Sequence, residues 1–168
     1  MQTASQIERL WPELRAYALS ICGSRDEAED LVQDAVERAL RADTRPVELE
    51  ALRPWMFRVI RNLHYDELRK LRVRREYFAA EKRLSDESDR ARPVARDILL
   101  RLAFEKLPPE AREVLFLVDV MGLKYVEAAQ VMNVPRGTVM SRLSRSRKAL
   151  LDLVDGPAKK VSKADRRS

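Results

Sequence analysis

The sequence predicts an all-α fold of two small helical domains joined by a linker, and three observations lead there. Nearly every apolar-patterned segment repeats at three and four residues, the period of an amphipathic helix. Only four glycines occur among 168 residues, few for a sheet-rich fold with many tight turns. The patterned segments form two blocks, 5–78 and 97–154, and the stretch 79–96 between them is rich in charge, contains Ser85, Ser88 and Pro93, and lacks apolar periodicity.

Each element has its own signal. Trp11, Leu14, Tyr17, Ala18 and Ile21 make the stripe of a first helix, which Gly23 ends. Ser24 caps a second helix, and Glu27 three residues later completes a capping box. Ala28, Leu31, Val32, Ala35, Val36, Ala39 and Leu40 then repeat at three and four, a stripe that must be buried for the helix to hold. Residues 43–50 break the pattern at Pro46. Pro54 suits the first turn of a third helix running to Glu76, with Met56, Ile60, Leu63, Leu68 and Leu71 inward. In the second block, 99–106 and 109–121 read as helices, the latter ended by Gly122. A short helix follows over 125–132. Asn133 tolerates the left-handed backbone of a tight turn, and Pro135 opens a last helix whose inner stripe is Val139, Leu143 and Leu150 with Ser146 in register. Residues 155–168 are basic with almost no apolar content, the composition of a disordered tail.

The net charge of +6 conceals an asymmetry. Residues 1–52 hold six basic and eleven acidic side chains, whereas 53–83 hold ten basic and four acidic. Such a division points to surfaces of opposite sign with different partners. The longest strongly apolar run, around 114–120, is far too short to span a membrane, and the amino terminus lacks the pattern of a signal peptide, so membrane insertion is not expected and a cytoplasmic location is. Cys22 is the one cysteine and His64 the one histidine, so neither an internal disulfide nor a Cys-rich zinc site can form; Cys22 reads as a small buried side chain. No nucleotide-binding loop or catalytic constellation is present, and the Asp66–Glu67 pair has no accompanying metal cluster, so no enzyme activity, cofactor or metal is expected.

Three helix faces could carry function. Asp30, Gln33, Asp34 and Glu37 lie opposite the apolar stripe of the second helix. They form either a solvated surface or a dock for a basic partner. On the third helix Arg58, Arg61, Asn62, Tyr65, Arg69 and Arg72 share an outer face, with Trp55, Phe57 and His64 interleaved. Positive charge attracts phosphate, and aromatic rings can stack on unpaired bases. The alternative is that Trp55 and Phe57 are core and the arginines only solubilise. The third signal is the helix–turn–helix over 125–148, where Arg136, Thr138, Ser141, Arg142 and Arg145 make the outer face of the second helix. Such a helix can enter a major groove, where Arg reads guanine and Ser or Thr contacts bases or phosphate. Arg147 and Lys148 suit phosphate, and an ordinary helical hairpin is the rival reading.

Together these residues resemble the extracytoplasmic-function (ECF) sigma factors of bacterial RNA polymerase. DEAEDLVQDAVERAL is similar to the family's polymerase-binding helix, PWMFRVIRNLHYDELRK to its −10 recognition and melting helix, and the stretch from LPPEAREVLF to SRLSRSRKAL to its −35-binding domain. The wording RNLHYDELRK and GTVMSRLSRSR resembles the general-stress, EcfG-like, branch. The resemblance implies a sigma-2 domain over 5–78 and a sigma-4 domain over 97–154. It implies that Asp30, Leu31, Gln33, Asp34 and Glu37 meet core polymerase and that residues 43–50 capture a flipped −10 base. Trp55, Arg58, Arg61, Asn62, Tyr65 and Arg69 would follow the single-stranded −10 element, and Arg136, Thr138, Ser141, Arg142 and Arg145 the duplex −35 element. It further implies an anti-sigma protein as inhibitor. Asn133 departs from the glycine frequent in the family's turn. The rivals are a stand-alone helix–turn–helix regulator, which leaves the acidic and basic–aromatic helices unexplained, and a decoy that only sequesters an anti-sigma factor, which would not need Arg136, Arg142 and Arg145.

Overall fold

The structure, a computed structural model, describes residues 2–77 and 95–156, with the side chains of 95–97 left aside. Most of the expected linker and the tail from residue 157 lie outside the described residues. Among the described residues the fold comprises seven α-helices and one π turn: α1 Gln2–Ile21, α2 Arg25–Arg41, α3 Leu49–Tyr77, α4 Ala95–Glu105, α5 Pro109–Leu115, the π turn Phe116–Val120, α6 Tyr125–Met132 and α7 Arg136–Asp155. Helices α1, α2 and α3 pack on one another, α4 and α5 lie against α7, and α6 lies against α7.

The first unit forms where three apolar stripes converge. Leu14, Tyr17 and Ala18 of α1 meet Ala28, Val32, Ala35 and Ala39 of α2 and Leu52, Met56, Phe57 and Ile60 of α3, all buried. Alanines on α2 let the helices approach closely. Ser24 caps α2 by accepting the Glu27 N–H at 3.2 Å. At the other end the Arg45 guanidinium donates to the carbonyls of Ala39, Leu40 and Ala42, satisfying acceptors that the helix leaves open.

Several expectations need correction. Helix α3 begins at Leu49, so Pro54 lies inside it and residues 49–50 of the expected loop are helical. Burial of Leu52, with Leu49 packed against the core, holds the extra turn in place, and the Glu48 carbonyl accepts its first hydrogen bonds. Leu68 and Leu71 are not inward but 44% and 45% exposed, because α3 outruns the helices that cover it. Leu40 and Trp11 are exposed because each lies at the rim of its stripe. Helix α4 starts four residues before the expected helix 99–106, and 109–121 is a short α-helix continued by the π turn.

The second unit ends in the helix–turn–helix. Its α6 carries the small buried Ala128, and its Glu127 carboxylate accepts the Lys124 N–H at 2.7 Å. Asn133 ends α6 at φ 54° and ψ 49°, the left-handed conformation, and Pro135 immediately precedes α7. Val139, Leu143 and Ser146 are buried beneath α7, while Leu150 is half-buried. Glycine adopts the Asn133 backbone without the Cβ penalty. Asn133→Ala is therefore expected to lower stability by about 1 kcal/mol, and Asn133→Gly to leave it unchanged or raise it; urea denaturation measures both, and equal loss in the two variants would refute this. Cys22 is half-buried against the core, and burial, aided by the Glu27 charge, pushes its thiol up to about 12. At pH 8 the native chain should react with iodoacetamide at least ~100-fold more slowly than the urea-unfolded chain, because the thiolate is the nucleophile; equal rates would contradict it.

Candidate polymerase and nucleic-acid interfaces

On α2 the acidic face is set by the burial of its opposite side. Asp30, Gln33, Asp34 and Glu37 are all exposed. Glu37 pairs with Arg41 one turn on, at 2.5 Å, while no described basic side chain pairs with Asp30 or Asp34. Two unneutralised carboxylates one turn apart leave a negative patch open to an incoming cation. Leu31, grouped with this face by resemblance, is instead 8% exposed and belongs to the core stripe, since it sits one residue round the helix from Asp30 and beside the buried Val32.

The basic–aromatic face of α3 is divided. Arg58, Asn62, Arg69 and Arg72 are exposed. Trp55 is half-buried at the edge of the core and Phe57 is wholly buried, so of the two aromatics only Trp55 retains an accessible surface. Arg61 is not on the open face as expected: its guanidinium Nε donates to Glu113 Oε1 at 2.7 Å, and its side chain is 17% exposed. The Arg61 guanidinium also stacks over the Tyr65 ring at 4.4 Å. Burial disfavours the Arg61 charge, but Glu113 outweighs that and raises its pKa. Burial, reinforced by Glu113, likewise raises the Tyr65 pKa, while Arg61 and then Arg142 pull it the other way. Burial lowers the pKa of His64, which lies edge-on to Tyr65.

Helix α7 presents Arg136, Ser141 and Arg145 to solvent, with Thr138 and Arg142 half-exposed beside them. Ser141 Oγ donates to the Thr138 carbonyl at 3.1 Å and Arg145 Nε to the Ser141 carbonyl at 3.3 Å, so both groups lie along the helix. Arg142 is 3.9 Å from Glu110. Arg147, expected to suit phosphate, makes a two-pronged ion pair with Asp119 and ties α7 to the π turn.

Sequence reasoning missed the centre of the molecule. Glu113 of α5 is 1% exposed, and its Oε1 accepts both Arg61 and the Tyr17 hydroxyl, the latter at 2.8 Å. Burial first, and then the Glu113 charge, push the Tyr17 pKa well up. Tyr17 packs edge-on to Phe57 at 5.0 Å and lies 6.4 Å from Phe116. Nearby, Arg53 donates to both Glu13 and the Met121 carbonyl. These contacts join α1 and α3 to α5 and the π turn, and α3 also packs on α6. The available signal was a carboxylate four residues before Leu117, on the buried side of its helix. Above this seam Arg58 and Arg136 line one cleft of about 550 Å³ with Gln130 and Asn133.

A three-helix unit with an acidic face and a basic–aromatic helix, followed by a helix–turn–helix unit, is the architecture of a sigma-70-type transcription factor. Residues 6–74 match the Sigma-70 region 2 family and residues 97–150 match Sigma-70, region 4. The chain is 36% identical over 157 residues to the ECF RNA polymerase sigma factor EcfG of Rhodopseudomonas palustris (strain TIE-1), covering 86% of this chain and 82% of that protein. It is 32% identical over 126 residues to the ECF sigma factor SigC of Mycobacterium tuberculosis (strain CDC 1551 / Oshkosh), covering 74% and 68%. The sigma factor RpoE in its co-crystal with the anti-sigma factor NepR from Bartonella quintana superposes with a TM-score of 0.69 at 26% identity, over 92% of this chain and 98% of that one. The PhyRSL–NepR complex of Sphingomonas sp. Fr1 shares the fold at a TM-score of 0.66 and 18% identity, over 92% and 90%. The chain belongs to the ECF RNA polymerase sigma factors. It binds core RNA polymerase and directs it to promoter DNA, a function of binding and not of catalysis. No described helix is long and apolar enough to cross a membrane.

Proposed function

We propose that this sigma factor docks on polymerase through Asp30, Gln33, Asp34 and Glu37, follows the −10 strand with Trp55, Arg58, Arg61, Asn62, Tyr65 and Arg69, and reads the −35 element with Arg136, Thr138, Ser141, Arg142 and Arg145. The observation that carries this reading is the exposure of opposite charge on separate helices, with Asp30 and Asp34 open on α2 and Arg136 and Arg145 open on α7. A protein that bound duplex DNA alone would have no use for an unneutralised acidic face directed away from the nucleic acid.

The same helix geometry divides the labour. Basic side chains along α7 draw the helix into the groove and release counterions, and Arg side chains there discriminate guanine. Released from Glu113, the stacked Arg61 and Tyr65 pair would offer a flat cationic surface of the kind that holds an unstacked base. The likeness to EcfG supports a place in the general-stress branch, and the neighbour bound to NepR supports an anti-sigma protein as the inhibitor of this chain. The polymerase partner supports a cytoplasmic location.

Arg142→Ala should reduce discrimination between consensus and scrambled −35 sequences by about 10-fold, the worth of one base-reading arginine, with affinity for core polymerase unchanged; in vitro transcription from paired templates reads this, and undiminished discrimination would refute the assignment. Asp34→Arg should weaken core polymerase binding several-fold, most strongly at low salt where screening is least. Unchanged affinity at low ionic strength would remove α2 as the dock.

A further inference from the structure

We propose that Glu113 is an intramolecular latch: from the sigma-4 unit its carboxylate occupies Arg61 of the sigma-2 unit in the place of a DNA phosphate, keeping the free chain closed until the two units part. The latch rests on the reading of α3 as the strand-binding helix.

Four observations support it. First, Glu113 is a fully buried carboxylate whose hydrogen-bond donors, Tyr17 and Arg61, both belong to the other unit, so its burial exists only while the units are together. Its second oxygen, Oε2, is buried with no protein donor, which leaves the group only partly satisfied and favours exchange for water on opening. Second, the captured guanidinium is one of the cations directed at the −10 strand, already stacked on Tyr65, and carboxylate and phosphate oxygens compete for the same N–H donors. Third, Arg53 makes a parallel tie to the Met121 carbonyl at the end of the π turn. Fourth, the closed form cannot span a promoter. Arg58 and Arg136 share one cleft, yet the elements they address lie about 25 base pairs apart, on the order of 85 Å of duplex. The seam must therefore open before both elements are held, and whatever opens it frees Arg61.

The test uses the full chain without polymerase. Small-angle X-ray scattering gives the radius of gyration, and fluorescence anisotropy gives the affinity for a fluorescein-labelled single-stranded oligodeoxynucleotide. Glu113→Gln removes the charge and keeps the shape; it should enlarge the radius and tighten strand binding at least about fivefold, since removing a closed competitor raises the binding-competent fraction. Tyr17→Phe keeps the buried ring but removes one donor, and should shift both readouts in the same direction by less. Cooperative thermal unfolding of both variants establishes that they fold. An unchanged radius in two folded variants would overturn the latch, as would a larger radius with no gain in strand affinity. Arg61→Ala in the polymerase holoenzyme tests the strand-binding reading separately: undiminished open-complex formation there would sink that reading, while the radius of the Glu113 variant continues to report on closure alone.

Discussion

The arrangement of the described chain turns on one carboxylate. Glu113 is buried between two helical units and accepts hydrogen bonds from Tyr17 and Arg61 through a single oxygen. A charge in that position is costly without partners; removing one member of a buried pair typically costs about 3–5 kcal/mol, whereas replacing a whole pair by packed apolar groups is often neutral. The contact therefore bears on whether the units stay together as well as on how they sit, since loss of one partner leaves the others buried and unpaired in the closed form. Apolar burial adds to the adhesion. Tyr17, Phe57 and Phe116 meet around the pair, and the core residues of the two units form one contiguous cluster. Aromatic faces slide with little preference, while a shared oxygen with two donors fixes the register.

That arrangement explains why the basic–aromatic face of α3 is split. Arg58, Asn62 and Arg69 reach solvent, Arg58 at the mouth of the cleft, whereas Arg61 and Tyr65 turn into the seam. The same side chains that give a strand-binding helix its chemistry, a guanidinium and a flat ring, also suit a buried interface, where a planar cation can stack and donate together. The acidic face of α2 stays clear of the seam, so closure covers Arg61 and Tyr65 and leaves Asp30 and Asp34 open.

Much of the fold was legible because its signals are local. The Ser24 cap, the alanine-rich stripe of α2, the left-handed Asn133 and the proline before α7 each act within a few residues, and each stands where periodicity and turn chemistry put it. The pattern failed where the answer lay with a distant partner. Leu40, Leu68 and Leu71 carry the helical period, but period specifies a face and not the presence of a neighbour to cover it. Helix α3 simply extends past α1 and α2. Leu31 shows the opposite case: a residue grouped by resemblance with a surface is held in the core by its angular position. The Tyr17–Glu113 bond joins residues 96 apart, and no local rule pairs them.

The balance of forces across the seam also bears on how a factor of this kind can be both specific and mobile. If the units were joined only by apolar area, separation would expose that surface with nothing to offset it, and closure would resist every partner alike. Here the polar groups of the seam have alternatives in the open chain: water for Glu113 and the Met121 carbonyl, the Glu13 contact that Arg53 already has, and, on the reading proposed above, phosphate for Arg61. Opening thus exchanges one set of charge-assisted hydrogen bonds for another, which offsets part of the cost of exposing the apolar seam. A nucleic acid at α3 that supplies even part of the replacement set can shift that balance in proportion to its preference for the open form. On the reading proposed above, coupling between opening and strand capture requires no further device than the exchange of partners at Arg61.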